Sequence, residues 1–255
     1  MDKELDRLLN EWKGYAGKIN PNLLPLINKF ILSCKGGKRL RGKLVVLGYQ
    51  LAKQGEKEIL KVAAAYEIMH SAILAHDDII DQSPLRRGRP SLHKSVGVEQ
   101  AITLADLGFF LAIKIIAESK FEDKLKIKAL GMFSKIMVDT AIGQMLDIQK
   151  GDSLTIRKLK TAQYTVAGPL QLGAVLGGAK RNLLDQLDKF GENLGVAFQI
   201  RDDILDGEVK SVDEAGVEAL KYANQAKKMI GKISNDHKII KQLEELCTYL
   251  VERRA

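Results

Sequence analysis

Ala75-His76-Asp77-Asp78-Ile79-Ile80-Asp81 closes a stretch, Glu56 to Ser83, that contains neither glycine nor proline. Apolar residues dominate that stretch at helical spacing, which predicts one long helix ending in three carboxylates. Asp77 and Asp81 are four apart and share a face. Like charges at that spacing cost a helix about 0.2–0.5 kcal/mol per pair, so helix formation gives no reason to place them there. A hard cation gives one, because magnesium takes oxygen ligands, often one or two carboxylates completed by substrate phosphates. A solvated acidic helix end is the other reading, and a lone Asp-Asp-x-x-Asp does not choose between the two.

A second copy changes the balance. Gln199-Ile200-Arg201-Asp202-Asp203-Ile204-Leu205-Asp206 ends another apolar helix in the other half of the chain. Two such ends, each flanked by cations and neutral polar residues, suggest facing metal-binding walls in a helical bundle.

The composition agrees with an all-α chain. Of 255 residues, 45% are hydrophobic and 28% charged, with only 5 prolines. That balance excludes a disordered polymer, and no segment sustains the period-two alternation of strands. The net charge of +8 suits nucleic acid, an anionic surface or a phosphorylated small molecule. Aromatic residues, at 5%, do not interleave with basic clusters, which argues against nucleic acid. Cys34 and Cys247 give neither a metal spacing nor a disulfide framework. Met1 to Trp12 alternates charges where a signal peptide would be apolar, and no window reaches about 18 uncharged apolar residues. The expectation is a cytoplasmic single domain over residues 1–255, without stable membrane insertion.

Other polar clusters punctuate the helices. Gly36-Gly37-Lys38-Arg39-Leu40-Arg41-Gly42 precedes an apolar run from Leu44 to Ala52. Two glycines ahead of a helix start leave N–H groups and a dipole that favour an anion. The cations there repel one another unless something anionic sits among them, although a plain basic turn reads the same way. His70 lies two turns before Asp77 on the same stripe. Arg86-Arg87-Gly88-Arg89-Pro90 follows the first aspartates, and its guanidinium groups suit either the acidic helix end or a phosphate. Gly143-Gln144-Met145-Leu146-Asp147 sets Gln144 and Asp147 on one face of an apolar pattern. Lys160-Thr161 and Tyr164 lie in a helix from Lys158 to Leu176, expected to kink at Gly168-Pro169.

From Lys35 to Asp206 these stations, in this order, resemble the trans-isoprenyl diphosphate synthases, or polyprenyl synthetases. The resemblance implies a single all-α bundle around a deep central cavity, the isoprenoid synthase fold, and commonly a homodimer. It implies head-to-tail condensation of isopentenyl diphosphate with an allylic diphosphate, assisted by about three magnesium ions, which favour carboxylate and phosphate oxygens. Asp77, Asp81 and Asp202 are implied as metal ligands, with Asp78, Asp203 and Asp206 in support. Arg86 and Lys160 are implied for the allylic diphosphate, and Lys38, Arg41, His70 and Arg87 for isopentenyl diphosphate. Gln144, Thr161, Tyr164 and Gln199 would line the reacting centre, where their dipoles favour a cation.

The match departs from the family in two places. Gly207-Glu208-Val209-Lys210-Ser211 stands where the family continues into a longer Gly-Lys loop, with Lys210 the nearby cation. Gly42 stands where the family commonly has proline. Product length is expected to depend on Ala72 and Ile73, with Ile68 and Met69 one turn deeper. A turn of about 5.4 Å, comparable with an isoprene unit, points to a product of about C20 or longer, such as geranylgeranyl diphosphate. Two other functions share the fold: a class I terpene cyclase, which the intact second aspartate cluster opposes, and a non-catalytic partner subunit of a heteromeric synthase.

Overall fold

The computed structural model describes residues 1–53, 55 and 57–252. In chain order the helices are α1 (Asp2–Ile19), α2 (Leu24–Ser33), α3 (Leu40–Ala52), α4 (Ile59–Ile80), α5 (Leu92–Val96), α6 (Val98–Ala117) and α7 (Asp123–Ile148). They continue with α8 (Ser153–Ile156), a π-helix (Arg157–Ala167), α9 (Gly168–Leu176), α10 (Arg181–Leu205), α11 (Val212–Lys227), α12 (Ile230–Ile233) and α13 (His237–Glu252). The described strands are two residues each, β1 (Leu85–Arg86) and β2 (Arg89–Pro90), paired antiparallel. The chain is all-α, as its periodicity predicts. By its contacts it divides into two compact units, residues 1–43 with 57–122, and residues 44–56 with 123–255.

The first unit is built on α4, which packs against α1 and α6. Ala63, Ala64 and Ala65 are fully buried. Close approach to α6 is set by Gly108, where a Cβ would lie 2.7 Å from the Phe30 ring and 3.0 Å from the Ala72 Cβ. Phe30, from α2, is itself completely buried and meets Trp12 edge-on at 6.1 Å. By length and composition α6 is the one helix among the described residues apolar enough to cross a membrane, with mean hydropathy 1.7. Asp106 and Lys114 interrupt it, which is why a search for uncharged runs passes over it.

The second unit centres on α10, which packs against the π-helix and α11. Small residues make the seam: a Cβ at Gly191 would sit 2.3 Å from the Ala167 Cα, and one at Gly195 would sit 2.4 Å from the Ala162 Cα. Ala162, Val196, Ile200 and Ala219 close the core beneath. Gly168-Pro169 does not kink a single α-helix. It marks the change from π to α register, with Pro169 in the first turn of α9, where a missing N–H is tolerated.

In the same unit α3 and α9 cross with almost no gap. A Cβ at Gly48 would lie 1.9 Å from the Leu170 carbonyl oxygen, and one at Gly173 would lie 1.9 Å from that of Val45. Gly48→Ala must therefore force the helices apart, an overpacking cost of about 1–3 kcal/mol. In a chain of this size the thermal midpoint then falls by roughly 2–4 °C per kcal/mol, as followed by circular dichroism. Gly216→Ala, with nothing within 4 Å, should leave the midpoint unchanged or raise it.

Candidate functional site

Both aspartate clusters end their helices in the same way. In the first, Asp81 caps α4, Gln82 takes the left-handed conformation (φ 53°), and Ser83 N–H donates to the Asp78 carbonyl at 2.9 Å. In the second, Asp206 caps α10, Gly207 takes φ 75°, and Glu208 N–H donates to the Asp203 carbonyl at 2.8 Å. With the Gln82 to Ile79 and Gly207 to Ile204 bonds, each is a Schellman cap. The cap fixes where the first and last aspartates of each cluster stand.

The middle aspartates are occupied by arginines. Asp78 is buried, and its Oδ1 accepts from both Nε (2.9 Å) and Nη2 of Arg86. Asp203, 14% exposed, accepts at Oδ2 from Arg157 Nε (3.1 Å) and Nη2 (2.8 Å), and at Oδ1 from Gln199 Nε2 (2.7 Å). Arg86, implied as a substrate contact, is thus also the partner of Asp78. Arg157 was not foreseen, although it stands three residues before Lys160 in a basic run.

Around the first cluster the expected cations converge. Arg87 and Gly88 both have positive φ, as a two-residue β-hairpin turn demands. Arg87 Nη1 donates to the carbonyls of Lys35 and Gly36, each at 3.3 Å. Gly37 is needed there, since a Cβ would lie 2.9 Å from Arg87 Nη2. Arg41 Nη1 lies 3.2 Å from His70 Nε2. Burial, together with Arg41 and Arg87, holds the His70 pKa well below its ordinary value, so the imidazole is neutral and accepts from Arg41. Gly42 N–H donates to the buried Glu67 carboxylate at 2.7 Å, a bond that proline at this position could not make. Lys38 is exposed in the same loop.

The product-length candidates diverge around α4. At about 100° per residue, Ile73 lies about 40° from Asp77 and Met69 about 80°, whereas Ala72 is turned about 140° away and Ile68 about 180°. Ala72 packs towards α6: its methyl group lies beside Gly108, where a Cβ would be 3.0 Å from it.

In the second unit, Thr161 Oγ1 donates to Gln199 Oε1 at 2.7 Å, extending the Asp203 network. Lys160 Nζ reaches Asp147 Oδ2 at 2.5 Å, so Asp147 of the Gly-Gln-x-x-Asp segment positions it. Gly143 permits that approach, since a Cβ would lie 2.5 Å from the Lys160 nitrogen. Gln144 is half-buried one residue on, and Tyr164 is buried. Only residues 206–211 join α10 to α11, whose start is capped by Ser211. Glu218 of α11 lies 3.9 Å from Arg157, so one guanidinium bridges α11 and the cluster. Lys210 is exposed.

Among the described residues no three His, Cys, Asp or Glu side chains are grouped to hold a metal. Each helix end instead offers a first and a last carboxylate four residues apart, Asp77 with Asp81 and Asp202 with Asp206. An all-oxygen pair of this kind fits magnesium, whose shell is commonly finished by water and phosphate. Arg157→Ala removes two charge-assisted bonds from a mostly buried carboxylate and should cost about 1–3 kcal/mol in chemical denaturation. Arg157→Lys should recover only part, because it keeps the charge and loses the fork.

Residues 25–215 match the polyprenyl synthetase family. The geranylgeranyl diphosphate synthase of Methanosarcina mazei is 32% identical over 181 residues, 67% of this chain and 55% of that protein. The short chain isoprenyl diphosphate synthase of Methanocaldococcus jannaschii is 33% identical over 79% of this chain and 62% of its own length. The chain therefore spans between half and two thirds of the length of these relatives. The crystal structure of geranylgeranyl pyrophosphate synthase from Corynebacterium glutamicum, complexed with isoprenyl diphosphate and magnesium, superposes with a TM-score of 0.90. That match covers 99% of this chain and 97% of the other at 22% identity, and shows a shared fold. With the family match extending over most of its residues, the chain belongs to the polyprenyl synthetase family.

Proposed function

We propose that the chain is a magnesium-dependent trans-prenyltransferase that condenses isopentenyl diphosphate head-to-tail with an allylic diphosphate. The observation that carries this reading is the pair of identically capped aspartate clusters. In each, an arginine holds the middle carboxylate, and the first and last acids stand four residues apart at the helix end. In this reading Asp77 and Asp81 of the first unit and Asp202 of the second would be the ligands of about three magnesium ions, with Asp206 in support. Magnesium, when bound, neutralises the leaving diphosphate.

The protein's own groups do the remainder. The allylic carbon–oxygen bond breaks, and its electron pair leaves with the diphosphate, which Lys160 and Arg86 help to neutralise. The isopentenyl double bond supplies the pair for the new carbon–carbon bond, while Lys38, Arg41, neutral His70 and Arg87 hold its diphosphate. Oxygen dipoles of Gln144, Thr161, Tyr164 and Gln199 favour the intermediate cation. A proton leaves to the departing diphosphate, giving an allylic diphosphate one isoprene unit longer and inorganic diphosphate.

Geranylgeranyl diphosphate or a somewhat longer chain is the proposed product, in keeping with the names of the similar proteins from Methanosarcina mazei, a geranylgeranyl and a geranylfarnesyl diphosphate synthase. Val98, Ile102, Phe110 and Ile113 leave an exposed apolar stripe on α6, which favours pairing with a second copy over a monomer.

Purified protein incubated with magnesium, isopentenyl diphosphate and primers of increasing length should yield elongated allylic diphosphates, identified by mass spectrometry. Asp77→Ala should abolish this without loss of helicity. No elongation of any primer overturns the proposal in favour of a non-catalytic partner subunit. Ile73→Ala, opening space on the Asp77 side of α4, should shift the products to longer chains; an unchanged distribution rejects Ile73 as the floor.

A further inference from the structure

The first unit contains a cavity of about 590 Å³ between the end of α2, α4, the β-hairpin and α5. Its size falls in the range of small-ligand pockets, about 300–1,000 Å³. Arg86 and Arg87, assigned above to substrate, lie in its wall, but it opens on another face of α4. Lys38, Arg41 and His70 do not line it, and α4 turns Ser71, Leu74, Ala75 and Asp78 towards it. Their mean direction lies about 90° around the helix from the stripe of His70, Asp77 and Asp81.

The lining is chemically one-sided. Lys29, Lys35, Arg86, Arg87 and Arg89 contribute five cations. Asp78 is the sole carboxylate among the described lining residues, and Arg86 already holds it. Lys35 has an acidic neighbour outside the lining, Asp6, at 3.6 Å on the exposed surface. Arg87 feels the crowding: burial and then the nearby Arg39 depress its pKa. Leu32, Leu74 and Leu92 supply an apolar wall beside these charges. Cations lining a hollow that also has apolar walls suit an anionic head with a short hydrocarbon tail.

We propose that this cavity is a second, non-reacting site for a phosphate or diphosphate monoester carrying an apolar chain. Its wall includes Arg86, which holds Asp78, and Arg87, which holds the Gly36-Gly37 loop. A ligand there pulls on both contacts, so its occupancy regulates the diphosphate site, a consequence that rests on the synthase reading above.

The test is a calorimetric titration of the full chain with decyl diphosphate, which has no allylic double bond and cannot react, and with inorganic diphosphate. Two variants lie outside the proposed catalytic set: Lys29→Glu reverses a charge on an exposed residue, and Ser95→Trp fills the cavity from α5. Each should weaken one decyl diphosphate site by at least about tenfold, the worth of one charge-assisted contact. That site should bind inorganic diphosphate more weakly, for want of the tail. Turnover at low substrate should be unchanged in Lys29→Glu. If Ser95→Trp does not fold, Lys29→Glu carries the test alone. A titration in which Lys29→Glu weakens no decyl diphosphate site overturns the proposal. A parent chain without turnover rejects the synthase reading and leaves the binding result readable.

Discussion

Carboxylates at the C-terminal end of a helix are in the wrong place for folding. The last turn carries unpaired carbonyls and the negative end of the dipole, where an acid costs about 0.3–1 kcal/mol and a base would gain it. This chain puts Asp77, Asp78 and Asp81 at one such end and Asp202, Asp203 and Asp206 at another. Much of the surrounding structure offsets that repulsion. Schellman caps satisfy the carbonyls of Asp78 and Asp203, and arginines neutralise the same two residues through their side chains. The first and last acids of each cluster stand four residues apart at the same helix end.

The two ends solve this problem with different parts. Arg86 comes from the hairpin directly after its own motif, so the first cluster is neutralised locally. Arg157 comes from the π-helix, 46 positions away in sequence, and also faces Glu218 of α11. With only residues 206–211 between α10 and α11, the chain has little length with which to build a longer loop over the second cluster. One guanidinium ties α11 to it instead. The left-handed residue differs as well: Gly207 takes that conformation at no steric cost, whereas Gln82 takes it with a side chain.

Close helix approach does the rest. The glycine–alanine seam between α10 and the π-helix lets Gln199 reach Thr161 across it, while Asp203 lies one turn along the same helix. Gly143 lets α7 come near enough for Asp147 to take Lys160. On the other unit, Gly42 donates its N–H to buried Glu67, which accounts for the absence of proline at a place where the family commonly has it.

The helical class, both aspartate clusters and the basic loop were legible in the sequence, because each is a local pattern of spacing and charge. Asp77 and Asp81 share a face wherever their helix packs, and Gly36-Gly37 is permissive in any context. What the sequence could not state is which partner each charge takes. Arg157 with Asp203, Lys160 with Asp147 and Gly42 with Glu67 join residues far apart in the chain, and only packing brings them together. The π register from Arg157 to Ala167 and the turning of Ala72 towards Gly108 were equally hidden. Both depend on how closely neighbouring helices pack, a quantity that periodicity does not carry.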